Sequence, residues 1–217
     1  PDGKLPADAV TEQQLAAHLI RAATNDWWTY APVNPPLLER YRKQMIPMWK
    51  RSLQVEFIER GLMVSPDKIT KTETYTATKL TLGRSGKTDR LPVTLITPRR
   101  DTLRTMVVLA HPEGRTGYAN ADGTPKGLAK QLLDRNIAVV LVDLFQTGEL
   151  TDAAADAKRD YSKNFFGAYN RTDLQERVQD LVTVSAFAQT HGKGRTVVLH
   201  GAGRAGLWAM LAAPASD

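Results

Sequence analysis

The residues with most to say about chemistry lie near the end of the chain, in HGAGRAG, His200–Gly206. Two chemistries share this spelling. Read as Gly201-Ala202-Gly203-Arg204-Ala205-Gly206, it fits G-x-G-x-x-G. In that pattern the first glycine permits a tight turn, the second lets the backbone approach a pyrophosphate, and the third lets helix and strand pack closely. Read as a G-x-S-x-G strand-to-helix elbow, it has small residues two before and two after a central position, as a sharp turn demands. Those residues are Gly201 and Ala205, and the central position is Gly203. The dinucleotide reading needs an acidic residue roughly 20 positions further on to hold a ribose. Within this sequence only residues 207–217 follow, so that spacing is not available. The elbow reading fits the place better but lacks its hydroxyl, because a glycine has no side chain to act as a nucleophile.

Other residues would complete a site around such an elbow. His111 and Gly114, in HPEG after the apolar run Thr105–Ala110, stand where backbone donors would meet a developing oxyanion. Gly114 can offer an N–H and Pro112 cannot. The alternative is a His–Pro turn that only ends a strand. Arg204 follows the central position, and its N–H would point at the same anion. Glu113 and Asp143 lie at the ends of two apolar runs and would make an acid/base pair. Alternatively they cap loops or pair with Arg115 or Arg204. Arg177 and Asp180 are three apart on a long helical pattern and read as a surface ion pair. His18 and His191 read as surface residues, and His200 as a strand-end histidine satisfied by a neighbour. There is no cysteine, no H-E-x-x-H and no carboxylate cluster, so neither thiolate chemistry nor a metal site is expected. No cofactor is expected.

These residues need elements to hold them. Thr11-Glu12-Gln13-Gln14 is a capping-box pattern that opens a helix, and Pro35–Pro36 opens a second. Pro47 is expected to interrupt that helix, with a further helical segment carrying Trp49, Leu53, Phe57 and Ile58. Trp27–Trp28 falls in the connector, either to anchor this module or to bind a sugar ring. After residue 68 the period changes. Thr70–Leu82 alternates as one strand, Gly83–Arg90 turns, and Leu91–Thr97 returns. Thr105–Ala110, Ile137–Leu144 and Thr196–His200 are continuous apolar runs, as expected of strands buried on both faces. Helical patterns at Lys126–Arg135, from a second capping box at Thr172–Gln175 to Gly192, and at Gly206–Ala213 follow them. The order predicts a mostly parallel α/β sheet with an antiparallel N-terminal hairpin and helices on both faces. The domains expected are a helical module, 1–66, and an α/β core, 67–217.

HPEG, VDLFQTGE (Val142–Glu149), YNRTDLQERVQDL (Tyr169–Leu181) and HGAGRAGLWAMLA (His200–Ala212), in that order, resemble the α/β-hydrolase group of acetylxylan-esterase-like and dienelactone-hydrolase-like proteins. The likeness covers roughly residues 68–214, and the leading helical module is similar to what precedes some bacterial members. It implies a carboxylic-ester hydrolase fold, incomplete on its C-terminal side. The implied activity is on acetylated polysaccharide or small esters, through a Ser–Asp/Glu–His triad without a metal, in a secreted or periplasmic setting. With Gly203 in place of the serine, it implies a domain whose own site is degenerate. The alternatives are a nucleotide- or anion-holding domain, or a non-catalytic carbohydrate-binding one. In this group the strand before the elbow lies inside the sheet. Thr196–His200 is therefore expected to pair with another chain or with a further C-terminal segment.

Bulk properties narrow the classes. The 217 residues are 42% hydrophobic and 24% charged, with a net charge of +6. No apolar run approaches the roughly 20 residues of a membrane span. Lysine and arginine are scattered, with short clusters at Arg40, Arg42 and Lys43 and at Arg99–Arg100, and no basic-aromatic stripe. Neither nucleic acid nor membrane is expected as a partner. The sequence begins at Pro1, which is read as a processed or trimmed start.

Overall fold

The computed structural model describes residues 9–29, 31–56, 61–100, 104–163, 165–192 and 194–216. The chain divides into two compact units, one up to Met48 and one from Trp49.

The first unit contains α1 (Glu12–Thr29) and most of α2 (Pro35–Ser52). The first capping box forms as predicted: the Gln14 N–H donates to Thr11 Oγ1 at 3.2 Å, and the Thr11 N–H to Gln14 Oε1 at 2.8 Å. Asn34 caps α2, its Oδ1 accepting from the Leu37 N–H at 3.0 Å. Two expectations are corrected. Pro47 does not break α2, which runs on to Ser52 with one backbone donor missing at an exposed position. Trp27–Trp28 belongs to the last turn of α1 and not to a connector; their side chains, like Phe57 and Ile58, lie outside the described residues.

The second unit is built on six strands: β1 (Leu62–Lys71), β2 (Tyr75–Arg84), β3 (Leu91–Pro98), β4 (Thr105–Ala110), β5 (Ala138–Val142) and β6 (Thr196–Gly201). Their order across the sheet is β1-β2-β3-β5-β4-β6. β1, β2, β3 and β5 pair antiparallel in succession, while β4 runs parallel to both β5 and β6. Four of the six strands, β2, β5, β4 and β6, therefore point the same way.

The single strand expected over Thr70–Leu82 is two strands. Thr72 turns the chain between them. Its Oγ1 accepts from the Tyr75 N–H at 3.1 Å, and its N–H reaches the Tyr75 carbonyl at 2.9 Å. Threonine hydroxyls fold turns as readily as threonine side chains fit strands, so a threonine-rich run conceals the hairpin. β1 thus begins at Leu62, ahead of the expected boundary at 66/67. The elbow strand becomes the sixth in the chain while remaining the fifth counted from β2.

The runs in β4 and β5 divide their side chains between two cores, as strands covered on both faces must. Thr196–His200 does not meet that expectation: no residue of β6 is buried, and Val198 is exposed. Met106, Val108 and Ala110 of β4 face a core shared with α6 (Asp173–Gly192) and α7 (Ala205–Ala212). Val107 and Leu109 face the opposite core, with Ala129 and Leu133 of α3 (Gly127–Asp134). Val178, Leu181, Val182, Ser185 and Ala188 of α6 are buried as its pattern predicts. Between β5 and α6 the chain forms two single-turn helices, α4 (Ala153–Asp156) and α5 (Phe166–Tyr169), too short to leave a periodic trace.

Candidate functional site

Three loops meet at the C-terminal ends of β4, β5 and β6, where ligands of open α/β sheets bind. The loop after β6 is a tight strand-to-helix turn. A Cβ on Gly201 would stand 2.1 Å from the Ala205 carbonyl oxygen and 2.6 Å from the Gly206 nitrogen. Only glycine lets strand end and helix start approach so closely. Gly203, at the apex, has φ +52°, and nothing stands within 4 Å of where its Cβ would be. The apex thus has a left-handed backbone, open space around it and no side chain. Beyond it, the Ala205 N–H returns to the Ala202 carbonyl at 2.9 Å. The N–H groups of Gly203 and Arg204, at the start of α7, have no acceptor among the described residues.

The loop after β4 is differently occupied. The Gly114 N–H donates to the His111 carbonyl at 2.9 Å, and the Glu113 N–H to His111 Nδ1 at 3.1 Å. The donor expected of Gly114 is thus engaged inside its own turn, and accepting at Nδ1 leaves the proton of a neutral His111 on Nε2. The His111 ring packs on Gly117, where a Cβ would lie 2.2 Å from it. It meets Tyr118 edge-on at 5.4 Å, and Tyr118 meets His200 at 6.4 Å. Tyr118 is buried, its hydroxyl has no partner among the described residues, and burial pushes its pKa up.

Asp143, after β5, is 1% exposed and is held from several sides. It accepts from the Arg115 backbone N–H at 2.6 Å, from Arg115 Nε at 2.9 Å and from the Glu149 N–H at 3.3 Å. Arg115 also reaches Glu149 at 2.6 Å and Thr94 Oγ1 at 3.2 Å. Gly114 (φ +65°) and Gly148 (φ +54°) lie so close that a Cβ on either would stand 2.2 Å from the carboxylate. Asp143 therefore joins the β4 and β5 loops through Arg115. Glu113 is exposed and makes no contact with it through its carboxylate.

Arg204 is exposed, with its guanidinium 5.9 Å from the centre of the buried Trp208 ring. Arg177, on α6, stands 4.8 Å from the same ring and donates to the Phe145 carbonyl at 3.0 Å. Burial pulls the Arg177 pKa down; Asp173, 3.8 Å away, opposes this and Arg204 adds to it. The surface pair expected between Arg177 and Asp180 does not form. Asp180 is instead buried, accepting the Phe145 N–H at 2.7 Å, and burial raises its pKa to about 7. The two residues are three apart on one helix, but the helix is wedged between loop and sheet, so they face different surroundings. Sequence periodicity gave no signal of this, because a buried aspartate breaks the apolar pattern as a surface one would.

Among the described residues no group of three or more histidines or acids is placed to hold a metal, and no helix is long and apolar enough to cross a membrane.

No protein-family model matches the chain, and no curated protein matches it in sequence. Solved structures do resemble it. An acetyl xylan esterase candidate from Bacteroides fragilis aligns over 98% of this chain and 60% of its own, at 13% identity and a TM-score of 0.66. Acetyl xylan esterase 1 of Thermoanaerobacterium aligns over 82% and 59%, at 13% identity and 0.57. A glucuronoyl esterase of Solibacter usitatus aligns over 80% and 55%, at 13% identity and 0.55. The chain spans 55–60% of the length of these structures. The fold is of the α/β-hydrolase type, with a mixed sheet open at both edges among the described residues.

Proposed function

We propose that this chain is a carboxylic-ester-hydrolase-like domain whose own serine site is lost, and that it holds acetylated carbohydrate or small esters without cleaving them. One observation carries the reading: Gly203 is the apex of a tight strand-to-helix turn and has a left-handed backbone there. The turn keeps the glycine that its close packing requires at Gly201, yet its apex offers no oxygen to attack a carbonyl. The engaged Gly114 N–H and the Arg115-bound Asp143 support it, since neither is left to act on a reacting group. The test is direct. The purified chain is expected to be retained on acetylated xylan while releasing no acetate, and to hydrolyse p-nitrophenyl acetate no faster than buffer. Turnover of either ester by the chain overturns the reading.

A second reading, an anion-holding loop, is favoured by the two unpaired N–H groups of Gly203 and Arg204 and by an Arg204 guanidinium with no carboxylate partner among the described residues. Titration with inorganic phosphate followed by amide chemical shifts separates the two. Saturable shifts at Gly203 and Arg204, without retention on acetylated xylan, select the anion reading.

A further inference from the structure

A cavity of about 420 Å³ lies between the turn that joins β2 to β3, the loop after β5 and the start of α6. No residue of the Gly201–Gly206 turn lines it. Asp180 does, and it is only 7% exposed. Its Oδ2 accepts the Phe145 N–H at 2.7 Å, and its Oδ1 has no partner among the described residues. A buried polar oxygen left unpaired at a cavity wall is a place for a polar group of a ligand.

The rest of the wall is rich in cations. Arg84 Nη1, Lys87 Nζ and Arg171 Nη2 converge on Glu56, at 3.1, 3.0 and 3.0 Å. Asp89 is held by Arg84 at 2.9 Å, and Glu176 lies 3.7 Å from Arg171. Each of these acids thus has a cation already. Arg90 is left over: its Nη1 donates to the carbonyls of Lys87 at 3.4 Å and Asp89 at 2.7 Å, and no carboxylate pairs with it among the described residues. Leu91, Phe145 and Leu150 give the cavity an apolar side.

We propose that this cavity binds a small organic carboxylate, held by Arg90 and by a hydrogen bond from Asp180, with its apolar body against Leu91 and Leu150. A guanidinium matches a carboxylate with paired N–H donors, and the cavity has room for more than a bare inorganic anion. Burial raises the Asp180 pKa to about 7. Below that pH its O–H donates to the ligand, and above it the ionised carboxylate repels the ligand. From the β2–β3 turn Asp180 is faced by Arg84, Lys87, Asp89 and Arg90. The start of α6 adds Arg171 and Glu176, Glu56 stands behind Arg84, and the loop after β5 presents only Phe145 and Leu150. No histidine lines the cavity.

The experiment is an NMR titration of the 217-residue chain with benzoate, which is ionised at both pH values used, about 6 and about 8. Saturable amide shifts are expected at Lys87–Leu91 and Phe145. The affinity is expected to be about tenfold weaker at the higher pH, the ratio of protonated Asp180 one unit below and one unit above its pKa. Asp180→Asn keeps a donor without a charge, and should bind equally at both. Arg90→Gln, at an exposed position, should weaken binding about fivefold or more while its melting curve matches wild type. The absence of saturable shifts at the lower pH overturns the proposal. An affinity that does not change with pH does so too, as does an equal response to benzamide, which has the ring without the charge. Saturation at Gly203 and Arg204 instead also overturns it, by placing the carboxylate at the turn after β6.

Discussion

Asp180→Asn should make the protein more stable, and by an amount that depends on pH. Asp180 is 7% exposed on α6, and its carboxylate accepts one backbone N–H, from Phe145 at 2.7 Å. Burial raises its pKa to about 7; the Phe145 hydrogen bond and Arg84 oppose the rise, while Glu176 and Asp89 add to it. In the unfolded chain the same carboxyl titrates near 3.9. Below about pH 4 both states hold the proton and Asp180 costs nothing. As pH rises toward 7 the unfolded chain ionises and the folded one does not, so stability is lost across that window and the loss levels off above 7. A shift of roughly three units at 1.36 kcal/mol each gives a full penalty on the order of 4 kcal/mol. Asparagine keeps an oxygen for the Phe145 N–H and has no proton to lose. Urea unfolding of both proteins near pH 5 and pH 8 should show the advantage of Asn growing by about 3 kcal/mol between the two, about two units of that window. The difference between the variants cancels every other titrating group. An advantage that is the same at both pH values would refute the buried, neutral Asp180.

Two further changes test the site. Gly201→Ala puts a methyl 2.1 Å from the Ala205 carbonyl and should cost about 2–4 kcal/mol in chemical denaturation. Gly203→Ala meets no atom within 4 Å and should cost only about 1 kcal/mol, for its left-handed backbone. Equal costs would mean that the loop is not a tight elbow. Arg115→Ala removes the cation from the buried Asp143 and should destabilise by about 3 kcal/mol, read from the urea midpoint at constant slope. An unchanged midpoint would remove Asp143–Arg115 as the tie between the β4 and β5 loops.

Much of the fold was legible wherever local chemistry has one solution. Thr172 and Gln175 form the capping box their spacing predicts, with hydrogen bonds of 2.8 and 3.2 Å, and the run Thr105–Ala110 is a strand because only a sheet covered on both faces hides such residues. Thr196–His200 is a strand as well, but the burial on both faces expected of it is not found, since no residue of β6 is buried. The threonine-rich hairpin at Thr72 was not legible, since the same residues suit a strand and a turn. Nor was the unbroken helix through Pro47, which follows from exposure at that position.

The same division holds at the site. The sequence by itself determined that position 203 has no nucleophile, because a glycine cannot supply one in any fold. It also determined that Gly201-x-x-x-Ala205 can make a tight turn, because small residues there are a steric condition that can be read from their types. Only the tertiary structure decided which neighbours each polar group meets. It turned the Gly114 N–H back onto His111, bound Asp143 to Arg115 instead of Glu113, and buried Asp180 beside Phe145. Those outcomes depend on contacts between residues far apart in the chain, which residue types and local spacing do not encode.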